Sequence, residues 1–514
     1  MGFKLLDLEM PTDFTTEMLE KKIAKRLGIK EFSYTIEKQS LDARKKQNIH
    51  WQIRIGVTSL SLPGTTPPPA ESLTIPFKKR TRKVVAVGSG PAGFFAAYTL
   101  LLAGFPVTLI EQGADVETRL KDISNFERTG NLNEKSNYAF GEGGAGAFSD
   151  GKLTSRTKTI SMERSFIFDT YIQAGAPAEI AYLAHPHLGS DNLRKIVKHL
   201  RTDFREKGGN FLFDTKAEDI TLKNDRISAV VTSSGSIDSD YVIFAPGHSS
   251  YETYRMLIRK GVPFRVKPFA LGCRVEHSQE LVNRAQWGQA CLPGLKAAEY
   301  RLTYQEKNRL PVYSFCMCPG GKVVPAAAYK NTNIVNGMSN YRRNSPFANA
   351  AVVAGVHLNE LLKRELDPLE ALEWLQKLEE KFFSFSGSYA APACNIHDFL
   401  SGKVSESFTK SSYPFGLHPA DFNELLPPGI VSSLKAGMKD FGHKLRGFEE
   451  GVVLGLESKT SSPVQAIRDK AGRSETIENL YISGEGSGFA GGIVSSAADG
   501  IKAALDIIGI STRQ

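Results

Sequence analysis

The residues with the most evident chemical potential are Gly88, Gly90 and Gly93, spaced as GxGxxG directly after the apolar run Val84-Val-Ala-Val87. Gly88 permits a tight turn, Gly90 lets backbone approach a pyrophosphate, and Gly93 lets a helix pack closely on the preceding strand. Pro91 and Ala92 lie where that helix begins, and its unpaired N–H groups and dipole favour an anion. Phe105 to Ile110 reads as a second strand ending in Glu111, whose carboxylate can accept hydrogen bonds from both hydroxyls of an unphosphorylated ribose. Gln112 and Gly113 continue the turn. No charge occurs between Lys83 and Glu111, but Gly88, Gly90, Pro91, Gly93, Gly104 and Pro106 interrupt the run where a βαβ unit needs turns. No membrane span is expected.

Two further segments share this character. Phe140 to Leu153 holds Gly143, Gly144, Ala145 and Gly146, then Ser149, Asp150 and Lys152. Either this is a flexible loop, or backbone is wrapped around a second part of a large ligand with those three side chains as polar contacts. Near the C-terminus, Leu480-Tyr-Ile leads into Gly484-Glu485 and then Gly491-Gly492-Ile493, a strand, an acidic glycine turn and a helix start. Glu485 suits a polyol hydroxyl, and N–H groups near Gly492 and Ile493 suit a developing negative charge. Between these pieces, Asn210 to Ile220 (with Ala217), Ile227 to Val231 and Tyr241 to Gly247 read as a β-meander and a returning strand ending Ala245-Pro246-Gly247.

A GxGxxG unit, a returning strand and a terminal Gly-Glu turn form the three-part pattern of two-dinucleotide-binding-domain flavoproteins. The chain is similar to glutathione-reductase-type FAD enzymes. More closely it resembles an uncharacterised family of bacterial FAD-dependent dehydrogenase-like, NAD(P)/FAD-dependent oxidoreductase proteins. The resemblance lies at Ser40-Leu-Asp-Ala-Arg44, Gly143 to Lys152, Ala245-Pro-Gly-His248-Ser249, Lys267 to His277, Ser314 to Gly321, Asn336-Gly-Met-Ser339 and Gly484 to Ile493. It implies an α/β FAD-binding Rossmann-type domain with FAD as cofactor, and it leaves the substrate open. Pro246 stands where Thr is usual, and Glu485 where Asp is commonest among reductases. No second strand-GxGxxG-helix unit is found, so NAD(P)H is expected only as a transient visitor.

Flavin chemistry asks the protein for orientation, a stabiliser of negative charge and sometimes one proton donor. His248, Arg274, Glu276 and His277 are the candidates for proton transfer, each with a structural alternative: a turn cap for His248, an ion pair for Arg274 and Glu276. Cys316 and Cys318 are candidates for electron transfer, although a C-x-C disulfide is strained. The expected activity is transfer of a hydride or electron pair between flavin and a small organic substrate. The alternatives are a non-turnover flavoprotein or an RNA-associated factor, including FAD-dependent tRNA modification.

The elements that must position these residues fall into three units. Residues 1–78 read as a small basic α+β module with a proline-rich linker. Residues 79–155, 187–265 and 450–514 form a discontinuous FAD-binding domain, and residues 156–186 with 266–449 an inserted mixed α+β cap and substrate domain. In the module, Thr15 or Thr16 caps a helix to Leu27 with Leu19, Ile23 and Leu27 on its apolar stripe. Residues 156–186 read as helical, and Ser190 or Asp191 as the cap of the next helix. The net charge of +9 is concentrated before residue 84, where 16 basic side chains face 9 acidic ones. A solvated basic face explains this, with RNA contact as the alternative. Five cysteines, odd in number and without paired metal-site spacing, suit a reducing compartment and no metal site. With no signal peptide visible, the cytoplasm is the expected location.

Overall fold

The computed structural model describes residues 1–65, 72–155, 157 and 159–510; the linker prolines at 67 to 69 lie outside them. The nucleotide-binding unit is built on a five-stranded parallel sheet in the order Leu480–Ile482, Tyr241–Phe244, Val84–Val87, Val107–Ile110 and Asn210–Leu212. Strands this short and apolar suit a sheet covered on both faces. The helix Pro91–Leu102 follows the first strand and is buried almost throughout. It packs against the C-terminal helix Ile493–Ile508 at very short range, since a methyl group at Gly500 would stand 2.0 Å from Ala92 O. Because all five strands run the same way, the loops after residues 87, 110, 244 and 482 emerge along one edge, where open parallel sheets bind ligands.

The expected strand over 210–220 divides in two. Asn210–Leu212 joins the parallel sheet, and Ala217–Lys223 opens an antiparallel meander with Arg226–Thr232 and Gly235–Asp238. Positive φ at Asp214 makes the turn between them.

The second body is a seven-stranded sheet centred on Phe269–Ser278, paired antiparallel with Phe347–Val356 on one side and Val452–Glu457 on the other. A boundary at residue 450 is therefore too early. The strand 452–457 belongs to this sheet because its ladder partners are Phe269–Ser278 and Ala391–Asn395. The expectation for 156–186 is also corrected. Its helix, Ser161–Gln173, buries Ile167, Phe168 and Tyr171 in the same core as the helices after residues 90 and 492, so it completes the nucleotide-binding unit. The following helix, Gly189–Glu206, has no side-chain cap. Asp191 instead accepts the Tyr341 N–H at 2.7 Å, and Ser190 donates to Asn340.

The N-terminal module is a three-stranded antiparallel sheet, Gly2–Met10, His50–Ser59 and Ser33–Asp42 in spatial order, with the helix Thr16–Leu27 capped by Thr15. Leu19 and Ile23 supply the buried stripe, closing a separate small core. The module meets the main body by backbone: Gln39 donates to Tyr182 O and accepts from Ala184 N–H. Among the described residues no helix is long and apolar enough to cross a membrane.

The helix crossing at Gly500 yields a stability test. Glycine to alanine within a helix ordinarily stabilises by about 0.4–1 kcal/mol. Here the methyl meets backbone oxygen, so Gly500→Ala is expected to destabilise by about 1–3 kcal/mol, read as a lower urea midpoint with unchanged slope.

Candidate functional site

Three glycine-rich segments meet at the ligand edge, and the absence of Cβ atoms is what lets them meet. Gly88 has φ +96°, and a methyl there would stand 2.4 Å from Ala245 O at the end of the returning strand. A methyl at Gly144 would stand 3.0 Å from Gly90 Cα, so the second glycine loop lies directly on the first. Gly146 reaches the C-terminal helix, where Ile493 Cγ1 is 3.3 Å from the position its Cβ would take. A small cavity of about 30 Å³ is lined by Ser89, Gly143, Gly146 and Ile493, and thus by all three segments. The helices starting at Pro91 and Ile493 have no side-chain cap, so their N–H groups remain for an anion. Around Gly247, Gly491 and Gly492 nothing lies within 4 Å of where a Cβ would stand. This glycine-lined cradle with two free helix N-termini fits a dinucleotide such as FAD.

Glu111 is 5% exposed and accepts four hydrogen bonds: Ser89 N–H and Oγ–H at 2.9 and 2.8 Å, Gly113 N–H at 3.0 Å and Gly141 N–H at 3.1 Å. It ties three turns together, and a ribose hydroxyl would take the place of the Ser89 hydroxyl. Opposite it lies Arg119, fully buried, which the motif reading misses. Its guanidinium donates to five carbonyls of the second glycine loop and its approach: Asn137 at 2.8 Å, Tyr138 at 3.0 Å, Gly141 at 3.2 Å, and Glu142 and Gly144 each at 2.8 Å. All three of its nitrogens donate to this ring of oxygens, Nη1 to three of the five. The residue did leave a sequence signal. It occupies the stripe Val116, Arg119, Ile123, Phe126 of the helix Val116–Thr129, an arginine on an apolar face.

The polar residues of the second loop turn away from this cradle. Ser149 closes its own turn by donating to Gly146 O and accepting from Gly151 N–H. Asp150 pairs with Arg343 at 2.6 Å and Lys152 at 2.9 Å, and accepts from Ser339. Burial opposes its charge, but those two cations hold Asp150 well below the usual carboxylate range. Lys152 also donates to Met317 O. These two side chains therefore link the glycine loop to the substrate-side sheet, a correction that follows from Arg343, to which no motif points. Ala217 begins the meander two residues beyond Thr215, whose N–H bonds to Glu111 O.

On the substrate side, Arg274 is fully buried and pairs with Glu457 at 2.6 Å, not with Glu276. It also donates to Asn349 Oδ1 at 2.7 Å, Asn336 Oδ1 at 3.2 Å and Cys316 O at 2.8 Å, and lies 3.6 Å from Cys318 Sγ. Burial pushes the Glu457 carboxyl up, against the pull of Arg274. Glu276 spends its oxygens on Ser411 and Ser412, and burial raises it. His277 points to the opposite side of its strand, against Phe448 O at 2.7 Å, and burial takes it down to about 4. Glu276 and His277 are thereby removed from the candidate reaction centre. His248 remains. It is 8% exposed, its Nδ1 stands 3.2 Å from Glu485 Oε2 without hydrogen-bond alignment, and neither ring nitrogen has a hydrogen-bond partner. Lys267 Nζ donates to Gly488 O at 2.8 Å, fastening the sheet to the C-terminal turn. Among the described residues no group of His, Cys, Asp or Glu is placed to hold a metal ion.

Two outcomes follow from the cradle. Arg119→Lys keeps the charge but loses the planar five-donor fork, and stranded carbonyls cost about 1–3 kcal/mol each. Bound flavin after dialysis, read from the ratio of visible to protein absorbance, is expected to fall at least about tenfold. Glu142, whose Oε2 accepts from Val116 N–H and Arg201, is raised by burial from 4.5 to about 7. A carboxyl raised in the folded state contributes stability at low pH that is lost as pH rises from about 4.5 to 7. The stability of Glu142→Gln relative to the parent is therefore expected to improve by about 2 kcal/mol between pH 5 and pH 8, measured by urea unfolding.

The family described as "FAD-dependent protein, C-terminal domain-like" matches residues 268–460, and a domain of unknown function, DUF8436, matches residues 3–58. An uncharacterized protein of Clostridium beijerinckii is 39% identical over 532 residues, spanning 99% of both chains. Among solved structures, CtdE in complex with FAD is 11% identical over 84% of this chain and 86% of its own, with a TM-score of 0.37. Glycine oxidase from Bacillus cereus is 12% identical over 83% of this chain and 95% of its own, with a TM-score of 0.33. The chain belongs to an uncharacterised family of FAD-dependent proteins, and FAD is its cofactor.

Proposed function

We propose that the protein is an oxidoreductase in which bound FAD exchanges a hydride or an electron pair with a small organic substrate held against the seven-stranded sheet. One juxtaposition supports this reading above others. His248, buried with both ring nitrogens unpartnered, contacts Glu485 of the C-terminal turn and lies within electrostatic reach of Glu457 on the substrate side. A buried imidazole left without partners is costly unless a ligand completes it.

FAD supplies the two-electron chemistry, and the chain supplies binding, orientation and proton handling. The N-terminus of the helix Pro91–Leu102 would hold the pyrophosphate, and that of Ile493–Ile508 would stabilise negative charge on the ring system. Glu485 would accept from a hydroxyl of the polyol chain. His248 holds or moves a proton at Nδ1 or Nε2. Arg274, saturated by Glu457, Asn349, Asn336 and Cys316 O, is a positioning residue that shapes the wall of the substrate space. Lys267, through Gly488 O, keeps the two bodies in register.

Anaerobic titration with NADH and with NADPH tests the reading. Bleaching of the visible flavin band by either supports it, and a flavin inert to both overturns it in favour of a non-turnover flavoprotein. His248→Gln is expected to keep its flavin and to lower the rate of turnover by about 100-fold or more, seen by stopped-flow absorbance.

A further inference from the structure

We propose that Cys316 and Cys318 are a dithiol–disulfide couple that exchanges with low-molecular-weight disulfides, making such compounds the substrate class of the site. The source of electrons rests on the oxidoreductase reading above; the couple itself rests on the local structure. The strand Val312–Cys318 follows its neighbour Phe347–Val356 in register as far as Phe315, then slips before resuming at Cys318 opposite Asn349. Cys316 sits in the slip with φ +42°, in the left-handed region that residues with a Cβ seldom occupy and that concentrates at functional positions. In a regular strand, side chains two apart stand parallel and separate. The irregularity instead folds Cys318 back on its neighbour, so that its S–H donates to Cys316 O at 3.3 Å.

The two sulfurs have different surroundings. Cys318 is fully buried, whereas Cys316 is partly exposed. Lys152, bonded to Met317 O, and Arg274, 3.6 Å from Cys318 Sγ, place two cations beside the pair, with Asp150 and Glu457 behind them as counter-charges. The neighbouring Cys318, then those cations, hold Cys316 below the ordinary thiol range, and the neighbouring Cys316 together with burial pushes Cys318 above it. The charged form is thus favoured at the less buried cysteine and the protonated form at the buried one, the division of labour that exchange needs. Lys152 follows the second glycine loop directly, so the pair is tied to the segment that forms one side of the cofactor cradle.

The exchange balances as follows. The Cys316 thiolate attacks one sulfur of the small disulfide, its S–S bond breaks, and one thiolate leaves. Cys318 then gives up its proton and attacks Cys316 Sγ. The second small thiol departs with that proton, and a Cys316–Cys318 disulfide remains. The external disulfide has gained two electrons and the pair has lost two. Return to thiolate and thiol takes two electrons and one proton, which FAD, when bound and reduced by a nicotinamide nucleotide, would supply.

The test uses full-length, FAD-loaded protein equilibrated over a series of reduced to oxidised glutathione ratios, alkylated, and read by peptide mass. The segment holding Cys316 and Cys318 is expected to pass from two alkylated thiols to an internal disulfide lacking two hydrogen masses. Cys318→Ser should trap one glutathione on Cys316, and Cys316→Ser none at this segment. Phenylarsine oxide, which needs two neighbouring thiols, should add to the parent segment and to neither variant. A parent segment that stays doubly alkylated in fully oxidised glutathione and takes no arsenical overturns the proposal. The flavin band of the same samples separates the two readings. A flavin bleached by NADH or NADPH beside inert thiols sinks the couple alone. A working couple beside an inert flavin supports the couple and overturns the oxidoreductase reading.

Discussion

A single buried guanidinium organises the cofactor side of this protein. Arg119 lies inside the ring of carbonyls from Asn137 to Gly144, its plane 4.6 Å from the Phe148 ring, while Glu111 holds Gly141 N–H from the other side. A glycine-rich loop has little intrinsic reason to adopt one shape, because each glycine gives up more conformational freedom on ordering than any other residue. Five charge-assisted hydrogen bonds to one rigid fork offset that loss. The loop so fixed lies on Gly90, touches Ile493, and carries Phe148 into a small core with Val324, Ala326 and Ile334 of the second body. Cofactor cradle and substrate side are thereby positioned by the same residue.

Charge is buried on the substrate side too, with a different consequence. The strand Phe269–Ser278 is buried over nine of its ten residues, yet it carries Arg274, Glu276 and His277. Glycine at position 337 leaves room for the Arg274 guanidinium, whose Nη2 would stand 2.2 Å from a Cβ there. Buried pairs such as Arg274–Glu457 gain little net stability over a well-packed apolar substitute, because desolvation cancels much of the attraction. What they give is a fixed arrangement of polar atoms in a dry wall, the condition under which electrostatics at a reaction centre is strongest. The Asp150–Arg343 and Asp150–Lys152 pairs do the same between the two bodies.

Much of the nucleotide-binding unit was legible in the chain. Gly88 and Gly93 stand where they do because a turn and a helix contact each exclude a Cβ, and those needs are local. The returning strand to Phe244, the turn at Gly484-Glu485 and the helix from Ile493 were legible for the same reason, as was Thr15 as a cap. The helix 189–206 was misjudged at its start because Asp191 and Ser190, good caps by type, are drawn to Tyr341 and Asn340, far off in sequence. The segment 156–186 reads as helical and little else, since its apolar side chains do not say which core will receive them.

Sequence by itself determined the cofactor and the glycine turns of the unit built for it, because short-range backbone requirements write themselves into residue type and spacing. Tertiary structure alone decided the partners of the charged residues. Arg274 neighbours Glu276 along the chain, yet side chains on one strand compete with every group packed across from them, and Glu457 wins because its strand lies alongside. Arg343 and Asp150 meet only when the two bodies close on one another, and His248 meets Glu485 because their strands, Tyr241–Phe244 and Leu480–Ile482, lie side by side in the parallel sheet. An ion pair between distant segments depends on the fold's geometry and leaves no local trace.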